Sequence, residues 1–199
     1  MAGKWILSKV ARLTHPAPAR DWEHEYADGA WSLLSGLDEM SRYWIATGYC
    51  SLIRNPSILD VGCGPGLLEQ KLRLLPYGSY TGTDISPSAL REARRQMPPE
   101  SRLICSDFNQ IAVAATFDRI VFMESMEPQL PVIDILRKHV PLLGPDGRIV
   151  LSLFDGKSGI ATGDLWKAIA AQFRIEDATH LHNLPSGKRW TVGLLAPRQ

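Results

Sequence analysis

"ILDVGCGPGLLEQKL", residues 58–72, joins an apolar run ending near Asp60 to a helical pattern through three alternating glycines, Gly62, Gly64 and Gly66. A glycine-rich turn between a strand and a helix lets the backbone approach a ligand closely, beside the free N–H groups of the helix N-terminus. Two ligand classes use such a turn at the carboxyl end of a parallel sheet. The dinucleotide fingerprint is spaced G-x-G-x-x-G. Here the third glycine, Gly66, comes one position early, and Leu67 stands in the fingerprint's place.

Outward from this loop, short β-rich runs at 57–61, 79–85, 101–106, 117–123 and 147–154 alternate with helical patterns near 66–75, 87–97 and 129–140. That alternation predicts right-handed crossovers and a mostly parallel sheet covered on both faces. The C-terminal part departs from it. "TGDLWKAIAAQF" (162–173) reads as a further helix, and "RIEDATHLH" (174–182) and "KRWTVGLLA" (188–196) read as strands joined by "NLPSG". So short a loop makes these strands a hairpin, with one strand antiparallel in the sheet. The expected class is α/β: a seven-stranded, mostly parallel sheet with a terminal antiparallel hairpin and helices on both faces.

Upstream, residues 21–55 place Trp22, Tyr26, Trp31, Leu34, Leu37, Met40, Trp44 and Leu52 on helical spacings, divided at Gly36. Residues 1–20 hold Lys4, Lys9, Arg12 and Arg20 and no acid, and read as an N-terminal arm that leaves through the extended "HPAPAR". The organisation is thus an arm at 1–20 and a single domain at 21–199, made of a helical segment (21–55) and a sheet-containing core (56–199).

Hydrophobic residues make up 45% of the 199 and charged residues 22%, ordinary for a soluble globular chain, and no run is long enough to span a bilayer. The net charge of +1 does not suit a protein built to neutralise a phosphate backbone, so nucleic acid is not the expected substrate. Cys50, Cys63 and Cys105 fit neither a disulfide framework nor a zinc pattern, which predicts a reducing cytoplasm and no metal. Cys63 reads as a small loop side chain, because no base flanks it to make a nucleophile.

"DVGCGPG" (60–66) resembles motif I of the class I S-adenosylmethionine-dependent methyltransferases, an acid followed after one residue by three alternating glycines. The seven-strand order with its hairpin is similar to that family's Rossmann-like core. The resemblance implies S-adenosylmethionine as cofactor, S-adenosylhomocysteine as product, and a cofactor site around Asp60, Gly62, Cys63, Gly64 and Gly66. It implies that Asp84 receives both ribose hydroxyls, with Ile85 against the adenine. Asp107 takes the adenine amine with Phe108 beside the ring, and Glu124 lines the methionine end and the acceptor pocket. Such enzymes commonly close the site with an N-terminal helix, which makes 21–55 the lid and Tyr26 and Trp31 its contacts.

Methyl transfer from a sulfonium asks mainly for alignment and water exclusion, and a hydroxyl acceptor gains from a base within reach. Glu124, Glu127, Asp155, His180 and His182 are the available bases, with Glu124 and His182 the chosen catalytic pair. His180 and His182 share one strand face, a spacing that also suits a metal pair, but a sheet-edge position explains them more simply. The fourth strand is not followed by an Asn/Asp-Pro-Pro-aromatic tetrapeptide, and no Pro-Cys nucleophile is present, so nucleobase and glutamine acceptors recede. "FMESMEPQ" and "SGKRWTVGLLAP" resemble small bacterial methyltransferases of glycan and secondary-metabolite pathways, including the nodulation-factor N-methyltransferase type. The expected acceptor is therefore an N or O atom of a small molecule. A protein acceptor, or a non-catalytic cofactor-binding regulator, is the alternative, and the sequence is compatible with monomer or homodimer.

Overall fold

The computed structural model describes residues 19–126, 130–156 and 162–198. Most of the expected arm (1–20), and Glu127 and Pro128 after the fourth strand, lie outside them. Helix α1 (Ala19–Ala27) leads through a 3₁₀ turn (Ser32–Ser35) to α2 (Leu37–Cys50), with Gly36 as its N-cap. The core follows as β1 (Ser57–Val61), α3 (Leu67–Leu72), β2 (Ser79–Asp84), α4 (Pro87–Gln96), β3 (Arg102–Cys105) and β4 (Phe117–Met123). It continues with α5 (Val132–His139), β5 (Leu143–Gly156), α6 (Gly163–Gln172), β6 (Phe173–His182) and β7 (Arg189–Pro197).

The seven strands lie in the order β3-β2-β1-β4-β5-β7-β6. β3, β2, β1, β4 and β5 pair in parallel, whereas β7 is antiparallel to both β5 and β6. The hairpin expected from "NLPSG" is therefore present, closed by Gly187 N–H to the Asn183 carbonyl (2.8 Å) with Gly187 at φ +70°. The order reverses direction at β1, so the loops after β1 and β4 flank the crevice where open α/β sheets bind ligands.

Prolines shorten three helices relative to their apolar patterns. α3 tightens into i→i+3 bonds at Leu74 and Leu75 ahead of Pro76. α4 stops at Gln96 because Met97, which precedes Pro98, is extended (ψ 152°). α5 begins only after Pro131. Burial then follows the period-2 alternation of the strands. Ile58, Tyr80, Val121, Val150 and Val192 face α2, α3 and α4, while Leu59, Ile120, Phe122, Ile149, Leu151 and Leu195 face α5 and α6. On the hairpin side, Trp166 of α6 packs on Gly193 of β7, where an added Cβ would stand 2.8 Å from the indole ring.

Candidate cofactor and acceptor site

The three glycines of the loop all have positive φ: 75° at Gly62, 53° at Gly64 and 84° at Gly66. What crowds each one differs. A Cβ on Gly62 would lie 2.3 Å from Ser125 Cβ, and one on Gly66 would lie 2.3 Å from Met97 Cε. Packing against Ser125 requires glycine at 62, whereas at 66, where the neighbour is the flexible end of Met97, the left-handed φ is the stronger reason. Only Gly64 faces the mouth of the sheet, where a Cβ would meet the Tyr26 hydroxyl of α1 at 2.8 Å.

The loop is fixed from below by β2. The Thr83 carbonyl accepts from Gly62 N–H (2.8 Å) and Cys63 N–H (2.9 Å), and Asp84 Oδ2 accepts from Gly64 N–H (2.8 Å). Cys63 is turned inward: its Sγ lies 2.8 Å from a Cβ placed on Gly82, its carbonyl accepts from Gly66 N–H, and burial raises its thiol pKa well above the ordinary range. All its groups serve the scaffold, as its small size suggests.

Asp84 is buried, and its other oxygen accepts from Ser86 N–H (2.9 Å). Burial pushes its carboxyl up, opposed by the backbone N–H groups of Ser86, Gly64 and Ile85. The cap of α4 is not Asp84 but Ser86, whose hydroxyl accepts from Ala89 N–H (3.1 Å). Ile85 follows half-buried. Asp107 caps a 3₁₀ turn (Phe108–Gln110) by accepting from Asn109 N–H (2.7 Å), with Phe108 half-buried beside it.

Asp60 and Glu124 stand at the ends of the two central strands. Asp60 is 1% exposed; its Oδ2 accepts from Tyr80 Oη (2.7 Å), and its Oδ1 has no partner among the described residues. Burial pushes its pKa up to about 7 against that hydrogen bond, with Asp84 adding to the rise. Glu124 adopts a left-handed backbone (φ 58°), a conformation rare outside glycine that accumulates at functional sites. Its Oε1 accepts from Ser152 Oγ (2.7 Å). Ser125 Oγ next to it is buried and, among the described residues, unpartnered.

At Gly64 the loop meets the Tyr26 hydroxyl of α1. Trp22 stacks on Trp31 (centroids 5.4 Å), Tyr26 tilts against Trp31 (6.1 Å), and Trp31 Nε1 donates to Glu25 (3.1 Å). Burial, then the Asp84 carboxylate, hold the Tyr26 phenol well above its usual range, so it remains a neutral donor. Of the expected bases, Asp155 accepts from Thr191 Oγ1 (2.7 Å) and from the Thr162 hydroxyl, and His180 Nδ1 meets the same Thr191 hydroxyl (2.9 Å). His182 lies exposed at the rim, near the β6–β7 turn. Among the described residues, no three metal-ligating side chains come together.

Two residues of the site escape a reading of the sequence. Arg42, 1% exposed, donates to Glu39 (3.0 Å) and Tyr43 Oη (3.3 Å), covers the Tyr43 ring (4.3 Å) and leaves Nη1 without a partner among the described residues. Burial works against its charge, but Tyr43, Glu124 and Glu39 outweigh it, and the pKa is raised. A signal is available: Glu39 and Arg42 fall on the same helical stripe as Tyr43, Ala46 and Cys50, so charges stand at core positions. Glu23 has no such signal. Its carboxylate accepts from Ser86 Oγ (2.6 Å), Ser88 N–H (2.9 Å) and Ser88 Oγ (2.5 Å), which pins α1 to the first turn of α4.

Residues 58–147 match the family model described as "Methyltransferase domain". Over 100 residues the chain is 26% identical to a malonyl-[acyl-carrier protein] O-methyltransferase of Priestia megaterium, covering 49% of this chain and 36% of that protein. Over 151 residues it is 28% identical to a ubiquinone biosynthesis O-methyltransferase of Xanthomonas campestris pv. campestris, covering 73% and 59%. The chain thus spans roughly a third to three fifths of these curated relatives' length. The N-methyltransferase NodS from Bradyrhizobium japonicum WM9, solved with S-adenosylhomocysteine, shares the fold at TM-score 0.74 and 18% identity, covering 91% of this chain and 98% of that one.

Two outcomes are expected from this geometry. Gly62→Ala combines a left-handed non-glycine residue with a collision at Ser125 and should cost about 2–4 kcal/mol, read as a lowered urea midpoint with unchanged m-value. The Glu23 carboxyl is pushed down to about 2, first by Ser86 and then by Ser88. A depressed acid stabilises above its unfolded value, so docking of α1 should be complete at neutral pH and be lost progressively as pH falls below the ordinary carboxylate range toward about 2. Amide exchange of residues 19–27 against pH, with Glu23→Gln as the comparison, checks this.

Proposed function

We propose that this chain is a class I S-adenosylmethionine-dependent methyltransferase that transfers the methyl group to an oxygen or nitrogen of a small-molecule acceptor. One observation carries the reading. Around Gly64, at the mouth of the central strands, Asp60 Oδ1, Ser125 Oγ and Arg42 Nη1 are buried polar atoms without partners among the described residues. Leaving such groups unpaired costs about 1–3 kcal/mol each, more when charged, and a zwitterionic ligand with hydroxyls pairs them.

The residues fit the cofactor as follows. Asp84 takes the ribose hydroxyls on lone pairs left by its backbone N–H bonds, and Ile85 and Phe108 flank the adenine, whose amine goes to Asp107. Arg42 Nη1 takes the methionyl carboxylate and Asp60 Oδ1 the ammonium, each a charge-assisted bond. S-adenosylmethionine, when bound, supplies an electrophilic methyl group on a sulfonium centre.

The chain's own part is alignment and exclusion of water. Tyr26 and Trp31 cover the loop, and Glu23 holds their helix in place. Glu124, fixed by the Ser152 hydroxyl, receives the proton of a hydroxyl or amine acceptor at its carboxylate. His182 stands exposed on β6, three strands from the β4 end that carries Glu124.

S-adenosylhomocysteine should raise the melting temperature and NAD should not; at about 100 times Kd the stabilisation is about 2.7 kcal/mol. Asp84→Ala should weaken S-adenosylhomocysteine roughly tenfold to several hundredfold by calorimetry. Because the ammonium favours the ionised form of Asp60, whose pKa stands at about 7, binding just below that pH should release protons. The release is seen as a dependence of the calorimetric heat on buffer ionisation enthalpy, which Asp60→Asn removes. A melting shift with NAD alone would falsify the cofactor assignment.

A further inference from the structure

Lys188 stands in the β6–β7 turn, where its carbonyl accepts from Asn183 N–H (2.9 Å), yet its side chain reaches the first turn of α2. Its Nζ donates to Asp38 Oδ2 (2.6 Å) and to Glu39 Oε1 (2.7 Å). The two bonds differ in kind. The Asp38 side chain is 33% exposed, where solvent screens an ion pair and little is gained from it. That of Glu39 is only 5% exposed, so its carboxylate depends on its partners. Burial opposes the charge of Lys188, but its bonds to Asp38 and Glu39 outweigh burial and raise its pKa, so it remains an ammonium.

The inner bond leads on to the cofactor mouth. The other oxygen of Glu39 accepts from Arg42 Nε (3.0 Å), and Arg42 Nη2 reaches Tyr43 Oη (3.3 Å). Burial raises the Tyr43 phenol, Arg42 opposes the rise, and Glu39 and Asp60 add to it. Tyr43 in turn adds to the rise at Tyr26, after burial and the Asp84 carboxylate, and Tyr26 stands at Gly64. The charge of Glu124 also acts on Arg42. The row Lys188–Glu39–Arg42 therefore ends among Asp60, Glu124 and Tyr26, with Nη1 as the guanidinium nitrogen that has no partner among the described residues. Two acids, Asp38 and Glu39, balance two bases, Lys188 and Arg42, along it.

We propose that Lys188 is a positioning residue for the amino-acid end of the cofactor: by holding Glu39 Oε1 it limits that carboxylate to one bond with Arg42 and keeps Arg42 Nη1 presented to the mouth. This rests on the methyltransferase reading, in which Nη1 takes the methionyl carboxylate. Two physical effects make the ammonium necessary. A buried carboxylate oxygen that loses its partner has to find another, and carboxylate and guanidinium favour a two-bonded fork, so without Lys188 the Arg42 group is drawn onto Glu39. The row also loses one positive charge and, with Asp38 and Glu39 against Arg42 alone, repels an incoming carboxylate. The hairpin, remote in sequence from the glycine loop, thereby takes part in recognising one end of the ligand.

The test is calorimetric titration of the full chain with S-adenosylhomocysteine and with 5′-methylthioadenosine, which keeps the adenosine and the thioether but lacks the amino-acid end. Lys188→Met should weaken S-adenosylhomocysteine about tenfold and leave 5′-methylthioadenosine within about twofold. The ratio of the two affinities is the readout, because a loss of folded protein lowers both alike. Lys188→Arg should restore most of the ratio, and Asp38→Asn, which leaves Lys188 on Glu39, should keep it. Lys188→Gln, which retains a donor without the charge, gives the same split where the methionine variant does not fold. Equal weakening of both ligands by Lys188→Met, or a lowered unfolding midpoint with the ratio unchanged, makes Lys188 a hairpin anchor only and overturns the proposal. An unaltered chain that binds the two ligands equally well removes the role of Arg42 Nη1 and overturns it too. Failure of the unaltered chain to bind either ligand instead overturns the cofactor reading.

Discussion

The carboxylate of Asp84 ties together the parts that the site depends on. One oxygen holds the N–H of Gly64 and the other that of Ser86, so a single buried side chain fixes the glycine loop after β1 to the start of α4 after β2. Ser86 in turn presents its hydroxyl to Glu23, and Glu23 carries α1 with Tyr26 and Trp31. Loop, strand end, helix start and roof are thus serial links of one hydrogen-bonded chain. Buried networks of this kind specify geometry when fully satisfied, because any broken link leaves a desolvated group behind.

Against that saturated chain, the neighbouring mouth is left incomplete. Among the described residues, Asp60, Ser125 and Arg42 each keep a buried polar atom without a partner, while other buried acids nearby are well served. Glu69, fully buried, has both Tyr77 (2.8 Å) and Arg73; Asp155 has two hydroxyls. Buried polar atoms without a partner occur elsewhere among the described residues too, at Thr47, Ser101, His139 and Trp166, so it is the grouping of three of them beside the glycine loop and Glu124 that supports the proposed ligand.

How much of this is legible in the sequence follows from which interactions are local. The strands, the hairpin and the glycine loop follow from period-2 runs and turn residues, so "SILDV", "FDRIVFM" and "NLPSG" suffice. Helix ends depart from the apolar pattern by one to three residues at Pro76, Pro98 and Pro131, where backbone sterics override a pattern that continues. The three glycines read alike in sequence, yet two answer to Ser125 and Met97, residues 63 and 31 positions away, and only one to the mouth. Glu23 is invisible for the same reason: its partners lie 63 and 65 residues on, and nothing in "DWEHEY" encodes them. Arg42 is readable in principle, as a charge on a buried stripe, but its meaning needs the orphaned nitrogen.

The placement of β7 between β5 and β6 bears on how the molecule assembles. β6 precedes β7 in the chain but touches the sheet only through it, so the outer strand has no place to dock until the strand after it has been inserted. The half that carries the glycine loop and Asp84 is built on β1, β2, β3 and β4, and β5 and β7 complete its two core clusters through Val150, Val192, Ile149 and Leu195. During synthesis that half emerges first and is able to organise early, while the rim formed by Leu181, Leu184 and Trp190 takes shape last, through pairings that close long loops. Variation in the hairpin turn therefore acts on the last-formed edge of the sheet.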